Sequence, residues 1–397
     1  MPNAMAKNPT IPESPAPKRP AAALDQAVDL IAAALRGGPL DAGGLAKNGR
    51  LDGFLETLDA HEVAPLLHHG LKSRGAAETW PDDIRTALAE AFRVEAAREA
   101  IRVEETRRVL AALDAEGVVP LVLKGTAFAY TLYPLPHLRP REDTSLLVRQ
   151  AAVAEGVRIL GELGYRRFEP PPGERVLRQD TYLRDDDSGF THALKLHWAI
   201  SSVSALADNL DYAELRQRAV AIEALSPCAL GLCHEDSLLH ACLHRRPRSY
   251  EKNLLSLYDV HLLVGSMTPV EFSRFARAAL DKRLGIAARD AIAHTQAKFH
   301  TELPFGTLDD HFPEAKLAEE ARYRSAVTPG WRRLHNLVYD IRGIERLREK
   351  LAWAFEHAFP PSAYMRERYG ADSSDWLPAL YIRRGLKSVA ALLRRSN

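Results

Sequence analysis

Apolar residues recur at helical spacing along most of this chain. Near the start they are Leu24, Val28, Ile31 and Leu35, which share one face of a helix because a helical turn takes about 3.6 residues. Further helices are predicted where helix-forming residues dominate and Gly or Pro marks the end. They cover 51–71, 82–115 and 151–163, and the region from 235 almost to the C-terminus. The pattern therefore predicts a largely helical protein.

Shorter apolar or alternating stretches indicate strands between these helices. One runs from Val118 to Leu123, a second opens at Asp143, and two more are predicted over 165–168 and 191–200. A small mixed sheet embedded in a largely helical protein predicts an α+β fold. The expected organisation, in chain order, is a disordered Pro-rich N-terminus, a helical region, an α/β core and a C-terminal helical domain, over 1–22, 23–116, 117–230 and 231–397.

Composition narrows the class of protein. The chain has 397 residues, with 53 Lys and Arg against 52 Asp and Glu, so bulk charge gives no sign of a nucleic-acid partner. Its three cysteines have no close pairing, which argues against a disulfide scaffold and favours a reducing, cytoplasmic location. No run of about 18 apolar residues is present, so no transmembrane segment is predicted.

The segment from 121 to 148 reads LVLKGTAFAYTLYPLPHLRPREDTSLLV and carries the candidate chemistry. Gly125 allows close approach of the backbone to a phosphate, Thr126 offers a hydroxyl, and the helix that begins there directs free N–H groups at an anion. Lys124 and Arg139 add positive charge. Asp143 opens the next strand and can hold a metal ion.

These residues resemble the core of the DNA polymerase β-like nucleotidyltransferases, most closely the uncharacterised nucleotidyltransferase family, which reads roughly L-K-G-x-A, Y-P and R-x-x-x-D-x-D-L-L-V. The resemblance spans the chain from about Leu24 to its end. It implies a nucleotidyltransferase core that moves a nucleoside monophosphate from an NTP to an acceptor, with Mg²⁺ or Mn²⁺ held by Asp143. In this chain, however, the second acid of D-x-D is Ser145.

The resemblance also implies a third acid on a neighbouring strand, in a pattern similar to acid-x-His-Trp. The matching residues are Lys195, Leu196, His197 and Trp198, so a lysine replaces that acid. A lysine there repels a divalent ion and could contact phosphate directly. Substitute acids could come from Glu142 or from 185–187, although the three aspartates of that run are typical of a solvated hairpin turn.

A second group of polar residues lies on the helical part. His240 and His244 are one helical turn apart, and Asp259 and His261 follow. Three interpretations remain open: a buried Asp–His packing network, contact of His244 with nucleotide or acceptor, or a zinc site. The arginines at 245, 246 and 248 are either an exposed basic turn or a phosphate contact, and the basic amphipathic helix at 377–393 either packs on the domain or lies on a membrane.

Three hypotheses follow for function. In the first, Lys124, Gly125, Thr126, Arg139 and Asp143 serve metal-dependent nucleotidyl transfer to an unknown small-molecule or protein acceptor. In the second, the D-T-S sequence marks a pseudoenzyme that binds nucleotide, phosphate or a protein partner without turnover. In a third, lysines replace the metal in a different phosphate chemistry. Catalytic positions are therefore expected at Asp143, Ser145 and Lys195, with His197 and His244 beside the ligand.

Overall fold

A computed structural model describes residues 21–38, 51–168, 178–200, 210–243, 253–324, 347–370 and 376–393. The helices of its N-terminal part are α1 (Ala21–Leu35), α2 (Leu51–Ala60), α3 (Ala64–Ser73) and α4 (Asp82–Ala115). The predicted helical region at 51–71 is thus two helices. The chain breaks between them at Glu62, whose φ of 55° lies in the left-handed region, and α3 then begins at Ala64 with Pro65 in its first turn.

The strands form one mixed sheet, which confirms the predicted α+β class. They are β1 (Leu121–Leu123), β2 (Asp143–Leu147), β3 (Arg166–Arg167), β4 (Gln179–Asp185), β5 (Thr191–His197), β6 (Val220–Ala221) and β7 (Leu230–Gly231). Their spatial order is β3-β4-β5-β2-β1-β7-β6. The central strand β2 pairs antiparallel with β1 and parallel with β5, while β4 and β5 form an antiparallel hairpin.

Three strand predictions needed correction. The stretch at 118–123 forms a strand only from Leu121, because the Val118 N–H bonds the Leu113 carbonyl and still belongs to the end of α4. The predicted strand at 165–168 keeps two residues, and the one at 191–200 ends at His197. The sequence pattern does not predict β4, because charged residues interrupt its alternation of apolar and polar positions.

Short helices connect the strands. They are α5 (Lys124–Thr131), α6 (Val153–Glu162) and α7 (Tyr212–Gln217). Helices α4 and α6 cover one face of the sheet: the Thr106 hydroxyl of α4 lies 3.3 Å from that of Thr144 on β2, and Gly156 of α6 sits against Leu196 of β5. Because side chains alternate along a strand, the residues on either side of Thr144 in β2 and of Leu196 in β5 face away from these two helices.

The C-terminal part is helical, as predicted. Its described helices are α8 (His234–Leu243), α9 (Leu254–Ser266), α10 (Pro269–Asp281), α11 (Gly285–Phe299), α12 (Leu308–His311), α13 (Glu314–Arg324), α14 (Leu347–Ala358), α15 (Ser362–Tyr369) and α16 (Leu377–Leu393). Helix α10 begins with a capping box between Thr268 and Glu271. In the described ranges, no helix combines the length and apolar character needed to cross a membrane.

Candidate functional site

The predicted site residues of β2 and β5 lie on one face of the sheet. The two strands run parallel with Ser145 opposite Lys195. Because side chains alternate along a strand, Asp143 and Ser145 point to the same side as Lys195 and His197. This is the side away from α4 and α6. The four positions that the resemblance selected are therefore neighbours in space.

An ion pair occupies the centre of this face. The Lys195 Nζ lies 3.2 Å from the Asp143 Oδ2. The Ser145 hydroxyl donates to the same carboxylate oxygen at 3.1 Å, and the His197 Nε2 lies 3.4 Å from the Ser145 Oγ. Asp143 therefore accepts from an ammonium and a hydroxyl. Ser145 and His197 are each 2% exposed, so they shape the floor of the site while Asp143 and Lys195 reach its surface.

A second lysine lies beside this ion pair. Lys124 has a φ of 53°, in the left-handed region that a residue with a side chain rarely adopts. Burial lowers the pKa of its ammonium to about 8; the positive charge of Lys195 adds to this effect and the negative charge of Asp143 opposes it. No hydrogen bond or ion pair of the Lys124 side chain is formed within the ranges the structure describes. Its charge is therefore available to an anion.

The N-terminus of α5 opens at the same place. Leu123, its N-cap residue, has extended backbone angles and no side chain caps the helix. The first N–H groups of an α-helix have no intrahelical acceptor and favour a negative charge. The Thr126 hydroxyl is buried, with the residue 1% exposed, and lacks a hydrogen-bond partner in the described part of the chain. Its contact with phosphate stays a prediction.

Gly125 is required by a neighbouring side chain. A Cβ at this position would lie 2.4 Å from the Arg139 Nη1. The guanidinium of Arg139 is buried there and forms a bidentate ion pair with Asp259 of α9, at 3.1 Å from Nε to Oδ1 and 2.7 Å from Nη2 to Oδ2. Tyr133 donates to the same carboxylate at 2.8 Å. The absence of a side chain at Gly125 thus lets Arg139 pack beside the start of α5 while it pairs with Asp259 of α9.

This ion pair bears on two predictions made from the sequence. Burial alone would lower the pKa of Arg139, but the charge and hydrogen bonds of Asp259 outweigh it and raise that pKa. The charge of Arg139 is therefore balanced inside the protein. The partners of Asp259 among the described residues are Arg139 and Tyr133, and the network of Asp259 with His240 and His244 stays a prediction. His244 and the arginines at 245, 246 and 248 lie outside the described residues.

The segment before β2 is fixed on its other side by α4. Arg141 forms an ion pair with Glu99 at 2.6 Å, and their side chains are 2% and 8% exposed. The Tyr130 hydroxyl also donates to Glu99 at 2.5 Å. Sequence reasoning missed Glu99, Arg141 and Tyr133 as residues that position the site. For Glu99, the available signal was a charged residue on the face of α4 that otherwise carries apolar residues. Charged residues are almost never fully buried unless they are paired.

The substitute acids proposed from the sequence do not join the site. Glu142 has the opposite parity from Asp143 and lines a small cleft with Arg102 and Thr144, on the side of the sheet that α4 covers. The run at 185–187 closes the hairpin of β4 and β5: Asp185 is the last residue of β4, and the turn follows it. Within it, the Asp186 carboxylate accepts from the backbone N–H groups of Ser188 and Phe190 at 2.9 and 3.0 Å.

The donor set does not fit a two-metal centre. Such a centre needs carboxylates around two cations about 3.5 to 4 Å apart. Here Asp143 is one acid between two lysines, and Ser145 is a neutral donor already bonded to it. Across the described ranges, no cluster of three or more His, Cys, Asp or Glu side chains could hold a metal ion. Two of the three acid positions implied by the resemblance thus carry an ammonium and a hydroxyl.

Comparison with known proteins identifies a family for this chain. A search of proteins with curated descriptions finds no match. The sequence model of a family described as uncharacterised nucleotidyltransferase matches residues 48–300, more than half of the chain, including β1, α5, β2 and β5. The chain belongs to the uncharacterised nucleotidyltransferase family.

Proposed function

We propose that this protein binds a phosphate-bearing ligand, foremost a nucleoside triphosphate, through Lys124, Lys195 and the N-terminus of α5, without a divalent metal and without nucleotidyl transfer. The observation that carries the proposal is the ion pair between Lys195 and Asp143. It places the ammonium of Lys195 beside Asp143, the one acid that this chain retains of the three that the resemblance implies for metal binding.

Charge balance supports this proposal. Two ammonium groups face one carboxylate, so the site has an excess of positive charge before any ligand arrives. A triphosphate supplies several negative charges, and lysine binds phosphate as a compact point charge with three donors. In an active nucleotidyltransferase the metal ions neutralise the triphosphate. Here the two lysines take over part of that neutralisation.

Each residue then has a distinct role. Lys124 and Lys195 contact phosphate oxygens, and the free N–H groups of α5 donate to the same anion. Asp143 orients Lys195 through the ion pair, and Ser145 orients Asp143 through its hydroxyl. His197 supports Ser145 from below. The set of residues binds an anion, and its one carboxylate is engaged in positioning.

Metal-dependent transfer of a nucleoside monophosphate to an acceptor, small molecule or protein, is the second candidate. Family membership and the retention of Asp143 favour it. It requires Lys195 to leave Asp143, because the ammonium and a divalent ion compete for the same oxygen atom. The two candidates differ in one measurable property, which is the effect of Mg²⁺ or Mn²⁺ on nucleotide affinity.

Isothermal titration calorimetry with ATP, GTP, CTP and UTP, each in EDTA and in Mg²⁺, tests the proposal. We expect at least one nucleotide to bind in EDTA, with Mg²⁺ changing its Kd by less than about threefold, and Lys195→Ala to weaken it about tenfold or more because a charged hydrogen bond is lost. Lys316→Ala, at an exposed lysine of α13, is the matched control and should keep wild-type affinity. Binding that requires Mg²⁺ would overturn the proposal in favour of transfer.

A further inference from the structure

A large cavity lined by described residues lies at the opposite end of the central strands. Its volume is about 630 Å³, within the range of roughly 300 to 1,000 Å³ typical of small-molecule pockets. Leu147 at the end of β2, Trp198 just after β5 and Tyr212 at the start of α7 line it. Leu147 is four residues beyond Asp143, or about 13 Å along an extended strand. The cavity is therefore separate from the lysine site.

Arginine side chains give this cavity a positive charge. Three arginines and one aspartate line it. Arg149 and Arg216 are exposed and have no ion-pair partner within the described ranges. The Asp211 carboxylate accepts from the Ala213 N–H at 2.9 Å and so caps α7. The excess charge thus belongs to arginines whose guanidinium groups are available to a ligand.

Both available arginines line the cavity together with Tyr212. Burial raises the pKa of the Tyr212 hydroxyl, and the positive charges of Arg216 and Arg149 both act on that hydroxyl in the opposite direction. The hydroxyl itself donates to the Val119 carbonyl at 2.5 Å, which fixes the ring between β1 and α7. Arg149 and Arg216 therefore lie near one rigid aromatic side chain in the wall of the same cavity.

The remaining wall suits a planar ring. Trp198 is half-buried, and its backbone N–H donates to the Arg178 carbonyl at 3.0 Å, so the start of this segment is held against β4. An indole face stacks on a nucleobase of any identity. Gln150 and Gln217 also line the cavity and bring amide donors and acceptors to its edge. Aromatic and amide groups next to arginines match a base and its phosphate.

We propose that this cavity is a second ligand site, which binds a nucleoside monophosphate with its phosphate on Arg149 and Arg216 and its base against Trp198. The proposal goes beyond the function proposed for Lys124 and Lys195, and it does not depend on that function. A monophosphate fits better than a triphosphate because the available positive charge is that of two guanidinium groups. Arginine is also suited to bidentate contact with one phosphate.

Titration with AMP, followed by calorimetry and by tryptophan fluorescence, tests this site. We expect AMP to quench the fluorescence of Trp198, so that Trp198→Phe loses the fluorescence change. The double variant Arg149→Gln with Arg216→Gln should weaken AMP at least about tenfold, because two charged contacts are removed. Arg93→Gln, at an exposed arginine of α4 paired with Glu90, is the matched control. Thermal melting of every variant verifies that it is folded.

Inorganic phosphate and adenosine separate the two halves of the ligand. We expect each to bind more weakly than AMP, with phosphate dependent on the arginines and adenosine on Trp198. The double variant of Arg149 and Arg216 should lose AMP binding while ATP binding that depends on Lys195 is retained, which distinguishes this site from the lysine site. The proposal is overturned if AMP does not bind, if phosphate binds as tightly as AMP, or if AMP affinity depends on Lys195 and not on Arg149 and Arg216.

Discussion

The Nζ of Lys195 lies 3.2 Å from the Oδ2 of Asp143, across two neighbouring parallel strands. The register sets Lys195 opposite Ser145, so the long side chain reaches back toward the start of β2. An ammonium thereby stands next to the one acid that this chain retains from the acidic positions implied by its family resemblance.

Restoring the missing acids should restore metal dependence. In the double variant Ser145→Asp with Lys195→Asp, we expect Mg²⁺ to tighten ATP binding at least about tenfold, because three carboxylates then share one sheet face. Calorimetry in EDTA and in Mg²⁺ measures the difference. Ser145→Ala with Lys195→Ala removes the ammonium without adding acids. An equal gain of metal dependence in that control would contradict the charge argument.

Gly125→Ala should destabilise the fold. Its Cβ would lie 2.4 Å from the Arg139 Nη1, so a buried guanidinium must shift. Overpacking of this kind costs about 1 to 3 kcal/mol in the free energy of unfolding, which urea denaturation measures. Gly161→Ala in α6 is the control, because a Cβ there meets nothing within 4 Å. It should stabilise by about 0.5 to 1 kcal/mol, and an equal loss in both variants would refute the role of Gly125.

Breaking the buried ion pair between Arg139 and Asp259 should be costly. Asp259→Asn preserves the shape of the side chain but leaves a buried guanidinium without its counter-charge, for which we expect a loss of about 3 to 5 kcal/mol. Arg274→Gln breaks the more exposed pair with Glu235 and should cost at most about 1 kcal/mol. Chemical denaturation of both variants compares the two losses. Similar small losses would show that this contact does not hold α9 to the turn.

Anion affinity should fall as pH rises through the pKa of Lys124. That pKa is lowered to about 8, mainly by burial. Below it the ammonium is charged and attracts phosphate, whereas above it the amine is neutral. We therefore expect nucleotide affinity to decrease between about pH 7 and about pH 9, and Lys124→Arg to remove most of that decrease because arginine stays charged. The same pH profile in both proteins would assign the titration to another group.

The stability of the unliganded protein should change with pH in the opposite direction. The folded state lowers the pKa of Lys124 from 10.5 to about 8. Between these values the unfolded chain binds more protons than the folded one, so this residue makes stability rise with pH. Urea denaturation of the wild type and of Lys124→Met at several pH values isolates its contribution. A smaller rise in the variant is the expected outcome.

Local sequence pattern predicted the fold class and the strand that carries Asp143 and Ser145, because hydrophobic periodicity reports which residues face a core. Alternation and the family resemblance together selected Lys195 and His197 as neighbours of those residues. Sequence could not supply the partner of Arg139, since Asp259 lies 120 positions away and its pairing depends on how α9 packs. The sequence likewise predicted only that Gly125 lets the backbone approach a phosphate, because its contact with Arg139 depends on the folded structure. Its neighbour Arg139 became visible only in three dimensions.

The most direct test of the central claim is release of pyrophosphate from nucleoside triphosphates by the wild-type protein in Mg²⁺ or Mn²⁺. Because Lys195 neutralises Asp143 and two acid positions are lost, we predict a rate no higher than that of Asp143→Ala, with each of the four nucleotides. Metal-dependent release by the wild type that Asp143→Ala abolishes would contradict the account and would show that Lys195 leaves the carboxylate to admit a metal ion.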